Sequence, residues 1–86
     1  MPGITRKEID SAGGALAAGS SNVFVNGKPA VRIGDAVQGH GIAPHDSPTM
    51  AAGSSKVFVN GIGVCRDGDA ATCGDTASGS GDVFAG

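Results

Sequence analysis

The sequence predicts a small all-β fold of hairpins with pseudo-threefold symmetry, and three observations carry that reading. The phrase "GSSNVFVNG" from Gly19 returns as "GSSKVFVNG" from Gly53, eight of nine residues alike at an offset of 34 (53 − 19). A shorter echo, "GSGDVFAG", runs from Gly79 to Gly86. Sixteen glycines in 86 residues, far above the usual share of about 7%, disfavour long helices and favour strands joined by tight turns.

The apolar supply is thin. Trp and Tyr are absent, and the three phenylalanines, Phe24, Phe58 and Phe84, sit one in each copy of the phrase. A chain of this length with so little to bury leans on a metal, a disulfide or a partner. The regular return of Val, Ile and Phe argues against disorder despite the glycine content. A net charge of −2 with scattered Lys and Arg gives no basic footprint, which excludes nucleic acid as a partner. No apolar run approaches the roughly 18 residues of a membrane span. The opening "MPGITRKEID" lacks the apolar stretch of a signal peptide, so the chain is expected to be made in the cytoplasm and exported by another route.

The elements follow in order within a single domain spanning 1–86. Residues 1–10 match neither long repeat and read as an N-terminal arm, a separate strand or a docking segment. Units then start near 19, 53 and 79. Each of the first two reads as strand (Val23 to Val25, Val57 to Val59), turn (Asn26-Gly27, Asn60-Gly61) and strand (Ala30 to Ile33, Gly63 to Arg66). Asn-Gly after an alternating apolar run is a strong hairpin signal, because both residues tolerate φ > 0. Gly34-Asp35 and Gly68-Asp69 supply a second turn, and the third unit keeps only a strand around Val83 and Phe84. Two and a half copies are too few for a solenoid. They suit a tapering body with one hairpin per side, whose exposed strand edges call for a partner.

Imidazole and thiol side chains fall in corresponding loops. Subtracting the repeat offset from Cys73 gives position 39 (73 − 34), beside His40, and His45 follows five residues on. Rotation-related loops would converge, and imidazole with thiolate suits Zn²⁺, with iron second. By spacing alone, two exposed loop histidines and an inert thiol explain these residues equally well. Repeat register and the thin core favour a structural metal, with Asp75 or water as fourth ligand. Cys65 aligns with Val31 and reads as a buried small hydrophobe, and a Cys65–Cys73 disulfide conflicts with a cytoplasmic origin. Asp35 and Asp69 read as turn residues bonding their own backbone. There is no phosphate-binding loop and no nucleophile elbow, so the expectation is that the chain is not an enzyme.

At "NGKPAVRIGD" and "NGIGVCRDGD" the chain resembles the PAAR-repeat family, small conical proteins at the tips of contractile phage tails and type VI secretion spikes. The family phrase reads here Pro29-Ala30-Val31-Arg32-Ile33-Gly34-Asp35 and Gly63-Val64-Cys65-Arg66-Asp67-Gly68-Asp69. "GHGIAPH", "PTM" and the ending "VFAG" look more like phage members. The resemblance implies a conical PAAR-type fold, a three-sided pyramid with a metal, usually zinc, near its apex. His40, His45 and Cys73 fall on the ligand positions, while Ala12 stands where many members have a histidine. It also implies a trimeric β-helical spike as partner, VgrG-like or a phage central spike, with one chain per trimer. The tip would make transient contact with a target envelope and travel in a virion tail or secretion apparatus. An alternative of another class is an adaptor that attaches an effector to the spike, through "MPGITRKEID". A third is a metallohydrolase, which would need an open metal position and Asp46 or Asp75 as base.

Overall fold

The chain was analysed in a computed structural model, whose described residues are 2–43 and 45–86. The Asn-Gly pairs turn the chain as expected. Asn26 and Gly27 have φ of 54° and 79°, and Asn60 and Gly61 have 55° and 78°, the paired positive values of a turn whose twist matches that of the flanking strands. They join β1 (Phe24–Val25) to β2 (Lys28–Pro29) and β3 (Phe58–Val59) to β4 (Ile62–Gly63), with Phe24 opposite Pro29 and Phe58 opposite Gly63.

These strands are shorter than the sequence predicts, for a topological reason. Beyond Pro29 and Gly63 one further hairpin bond persists, Ala30 N–H to Val23 O and Val64 N–H to Val57 O, and the chain then pairs with neighbouring copies. Ala30 bridges Arg6, Arg32 bridges Val64, and Arg66 bridges Ile4. Between these bridges lies a closed ring of three backbone hydrogen bonds. Thr5 N–H donates to Cys65 O (2.9 Å), Cys65 N–H to Val31 O (2.8 Å) and Val31 N–H to Thr5 O (3.0 Å). All three residues are fully buried. A pseudo-threefold axis therefore passes through this ring, and the molecule extends 32 × 23 × 23 Å, one long dimension and two equal short ones.

The N-terminal segment, set apart by the sequence reading, supplies the third member of the ring. Gly3 bridges Phe84 as Pro29 opposes Phe24, so the first and last strands form a third hairpin without a turn. Each copy is then stapled by an arginine and an aspartate: Arg6 to Asp10, Arg32 to Asp35 and Arg66 to Asp69, with Nε–Oδ2 distances of 2.8, 3.1 and 2.9 Å. The same carboxylates accept the backbone N–H of the arginine. Asp35 and Asp69 are thus the turn residues expected, with an added grip on the guanidinium.

Copies are also tied to one another. Ser20, Ser54 and Ser80 are buried, and their Oγ atoms accept the N–H of Val23, Val57 and Val83. Ser20 reaches Asn60, Ser80 reaches Asn26, and Ser54 reaches the carbonyl of Gly86. Around this frame the apolar side chains form two clusters. Val25, Ala30, Val59, Val64 and Ala85 make one; Ala12, Leu16, Val31, Val37, Met50, Cys65, Ala71 and Ala77 make the other. No aromatic ring enters either; Phe24, Phe58 and Phe84 are 58%, 58% and 48% exposed. Among the described residues, every buried side-chain polar atom has a partner. With this modest apolar core, the hydrogen-bonded frame supplies the specificity.

Candidate metal centre

Past each Arg–Asp staple the chain makes a loop closed by a single bridge: Ser11 to Ala15, Ala36 to Thr49 and Ala70 to Thr76. Threefold symmetry brings these loops together. Within the middle loop, His40 N–H donates to His45 O and His45 N–H to Ile42 O, both 2.8 Å, which folds the two imidazoles onto one side. Their ring centroids are 4.9 Å apart. In the last loop, Gly74 N–H donates to Ala71 O and Ala71 N–H to Asp75 O, so Cys73 and Asp75 face the same point.

His40 Nδ1 lies 3.0 Å from the Gln38 carbonyl, an acceptor only, so Nδ1 carries the proton and Nε2 is presented inward. Nε2 stands 2.8 Å from Asp75 Oδ2, 3.0 Å from His45 Nδ1 and 3.9 Å from Cys73 Sγ. Asp75 Oδ2 is 3.3 Å from His45 Nδ1 and 3.5 Å from Cys73 Sγ. The hydrogen bond to Gln38 and the one to Asp75 raise the basicity of His40 above the usual histidine range. The bonds from His40 and Cys73 hold the Asp75 carboxyl below the usual carboxylate range.

These four side chains form a group that could hold a metal ion, with one donor atom from each and all within 4.8 Å of one another. The donor chemistry fits. Zn–N bonds of about 2.0–2.1 Å and Zn–S bonds of about 2.3 Å place tetrahedral donors roughly 3.3–3.8 Å apart. Separations of 2.8–3.9 Å for the pairs that involve His40 or Asp75 straddle that range, and no pair exceeds 4.8 Å. The loop opposite supplies only backbone. At Gly13 (φ 83°) a Cβ would overlap Asp75 Oδ2 and crowd His40 Nε2, and the positive φ strains any side chain there. Ala12 beside it is fully buried and brings no donor.

Thus His40, His45 and Cys73 come together, along with Asp75, while Asp46 stands outside the cluster. Cys65 is remote in role. Its thiol is buried in the axial ring, donates to Ala52 O at 3.3 Å, and is pushed up to about 12 by burial, with Asp69 and Asp35 adding to the effect. Both cysteines are free, as their expected roles require. Sequence reasoning missed the contact of Gly13 with the site; its signal was the Gly13-Gly14 pair at the loop equivalent to the two that carry donors.

Among the described residues there is no helix, and the hairpins with their convergent His, Cys and Asp donors define a small β-repeat protein built around a potential metal site. It belongs to the PAAR motif family, which matches residues 8–84. That family is known for structural spike-tip proteins of contractile injection systems. No curated protein matches the chain.

Proposed function

We propose that this chain is the membrane-piercing tip of the central spike in a contractile injection machine, a phage tail baseplate or a type VI secretion apparatus. One observation supports it above the others: a single chain builds a body with three equivalent sides around the Thr5–Val31–Cys65 ring, each carrying an exposed phenylalanine. A partner matched to such a body is itself threefold. The proposed partner is a trimeric β-helical spike, VgrG-like or a phage central spike, capped by one chain per trimer. Phe24, Phe58 and Phe84 offer it three equivalent apolar contacts.

The role is mechanical and not catalytic. Sheath contraction drives the spike forward, and the tapered cap concentrates that force on the target envelope. His40, His45 and Cys73 would hold zinc, with iron second; the ion, when bound, supplies a cross-link between loops that little apolar packing secures. His40 is held for this by the Gln38 carbonyl, which fixes its tautomer and aim.

Native mass spectrometry of the chain mixed with a trimeric β-helical spike tests the reading. Three spike subunits to one chain is expected, with loss of the complex in Phe24→Asp/Phe58→Asp/Phe84→Asp. No complex, or one of another ratio, would sink it.

A further inference from the structure

The two Asn-Gly turns do more than reverse the chain. Asn26 Oδ1 accepts from Arg6 Nη1 (3.2 Å) and Ser80 Oγ (2.9 Å), both from the neighbouring copy. Asn60 Oδ1 accepts in the same way from Arg32 Nη1 (3.2 Å) and Ser20 Oγ (2.7 Å), and its amide donates to Asn22 Oδ1 at 2.8 Å. Asp82 takes the place of Asn22 beside Asn26; hydrogen bonds from Ser80 and then Asn26 hold its carboxyl below the usual carboxylate range. The third boundary uses no side-chain amide, because the Gly86 carbonyl accepts from Arg66 Nη1 and Ser54 Oγ instead. Each carboxamide is thus clamped across the boundary between two copies.

Asparagine followed by glycine is open to cyclisation, since glycine has no side chain to shield the attacking nitrogen. The reaction needs that bare nitrogen, water, and a carboxamide free to swing over the backbone. The first two are present. A Cβ at Gly27 or Gly61 would meet nothing within 4 Å, and both asparagines are exposed. The clamp withholds the third.

We infer that Asn26 and Asn60 are latent modification sites, converted when their hairpin tips come off the neighbouring copy and preserved while the clamp holds. The Gly27 nitrogen bonds to Asn26 Cγ and loses its proton, while the Cγ–Nδ2 bond breaks and the amide leaves as ammonia carrying that proton. Water then opens the cyclic imide at either carbonyl, giving aspartate or isoaspartate. Asn60 and Gly61 react alike. Either product weakens the join between copies. Isoaspartate adds a backbone carbon to a two-residue turn whose paired positive φ values set the strand register. Aspartate formed from Asn26 sets a second carboxylate beside Asp82, and aspartate formed from Asn60 removes the donor to Asn22. The change does not reverse, so the chain keeps a chemical record of how often its sides have parted.

Peptide mapping by mass spectrometry gives the rate at each asparagine, in the purified full chain kept folded or in denaturant at mildly alkaline pH. In denaturant Asn26 and Asn60 are expected to convert together, well ahead of Asn22, which Val23 follows. Folding should slow both by about tenfold or more, because conversion then waits on local opening. Ser20→Ala removes one clamping hydrogen bond and should speed Asn60 about five-fold with Asn26 unchanged, and Ser80→Ala should do the reverse. The gentler Arg32→Lys and Arg6→Lys keep a cation for Asp35 and Asp10 but lose the Nη1 arm, and should separate the two sites in the same way. Equal rates in the folded and denatured chain would overturn the inference, as would no conversion in either. So would variants that leave both sites at the wild-type rate or raise them together, since the clamp would then not set the rate.

Discussion

Gly3 bridges Phe84 across the two ends of the chain, in the register that sets Pro29 opposite Phe24 and Gly63 opposite Phe58. The first strand is therefore structural and not a detachable arm. Removing residues 2–6 takes away Thr5, leaves Val31 N–H and Cys65 O without partners at the axis, and strips the staple from Asp10. Buried unpaired backbone groups cost about 1–3 kcal/mol each, a large share of what so small a domain can have. The truncated chain is expected to lose its cooperative thermal transition by circular dichroism. An unchanged melting curve would return these residues to the status of an appendage.

Asp10 gives stability a pH dependence. Burial pushes its carboxyl up, but hydrogen bonds from the Arg6 side chain, Ser78 and the Arg6 backbone outweigh that and hold it below the usual carboxylate range. A group depressed in the folded state contributes fully above its unfolded value, near 4, and loses that contribution as pH falls through the folded value. The Asp10 contribution to the melting temperature should be constant above about pH 5 and be lost below about pH 4. Asp10→Asn should cost about 2 kcal/mol at pH 7, less than a fully buried pair, and flatten the acid limb.

The two thiols should differ in reactivity. Cys65 is fully buried and its thiol is pushed up to about 12, whereas Cys73 is half-buried beside Asp75 and His40. A disulfide reagent should label Cys73 alone in the folded metal-free chain and both cysteines in denaturant. Zinc should protect Cys73. Cys65→Val, which copies Val31 at the equivalent position, should change stability by less than about 1.5 kcal/mol. Labelling of Cys65 at the rate of Cys73 would contradict the burial.

Glu8 has a φ of 71°, at the place taken by Gly34 and Gly68 in the other copies. The equivalence rests on hydrogen bonds: Glu8 N–H donates to Leu16 O as Gly34 N–H does to Met50 O and Gly68 N–H to Ala77 O. A left-handed backbone costs a side-chain-bearing residue roughly 1–2 kcal/mol, offset in part by the entropy of glycine. Glu8→Gly should therefore stabilise by about 0.5–1 kcal/mol, and the exposed contact it removes, 3.9 Å to Lys28, is worth little. Chemical denaturation measures this directly; a destabilised variant would mean the turn is not shared.

That same residue explains what the sequence hid. The hairpins were legible because Asn26-Gly27 and Asn60-Gly61 state their turns outright, and the offset of Cys73 from His40 placed the donor loops in register. The third copy was only half legible: the strand around Val83 and Phe84 was read, but its partner near Gly3 was not. Its Arg6 and Asp10 are four apart where Arg32–Asp35 and Arg66–Asp69 are three, Ile9 is the inserted residue, and Glu8 replaces the expected glycine. Its strand is also divided between the two ends of the chain, so no window of sequence contains it. Asp75 was visible as a candidate through its distance from Cys73, but the placement of Gly13 beside it exists only in three dimensions.

The ring of Thr5, Val31 and Cys65 also sets when the molecule can fold. Gly3 bridges Phe84 and Ile4 N–H donates to Val83 O, so this member of the ring sits on a pairing between segments far apart in sequence. Contacts of such long sequence separation form slowly and only after most of the chain is available. The N-terminal strand can pair with Pro29 to Val31 on its other edge first, and its pairing with Val83 and Phe84 comes after. The third side of the body accordingly closes only when these two distant segments meet, whereas the other two sides each begin with a hairpin of neighbouring residues.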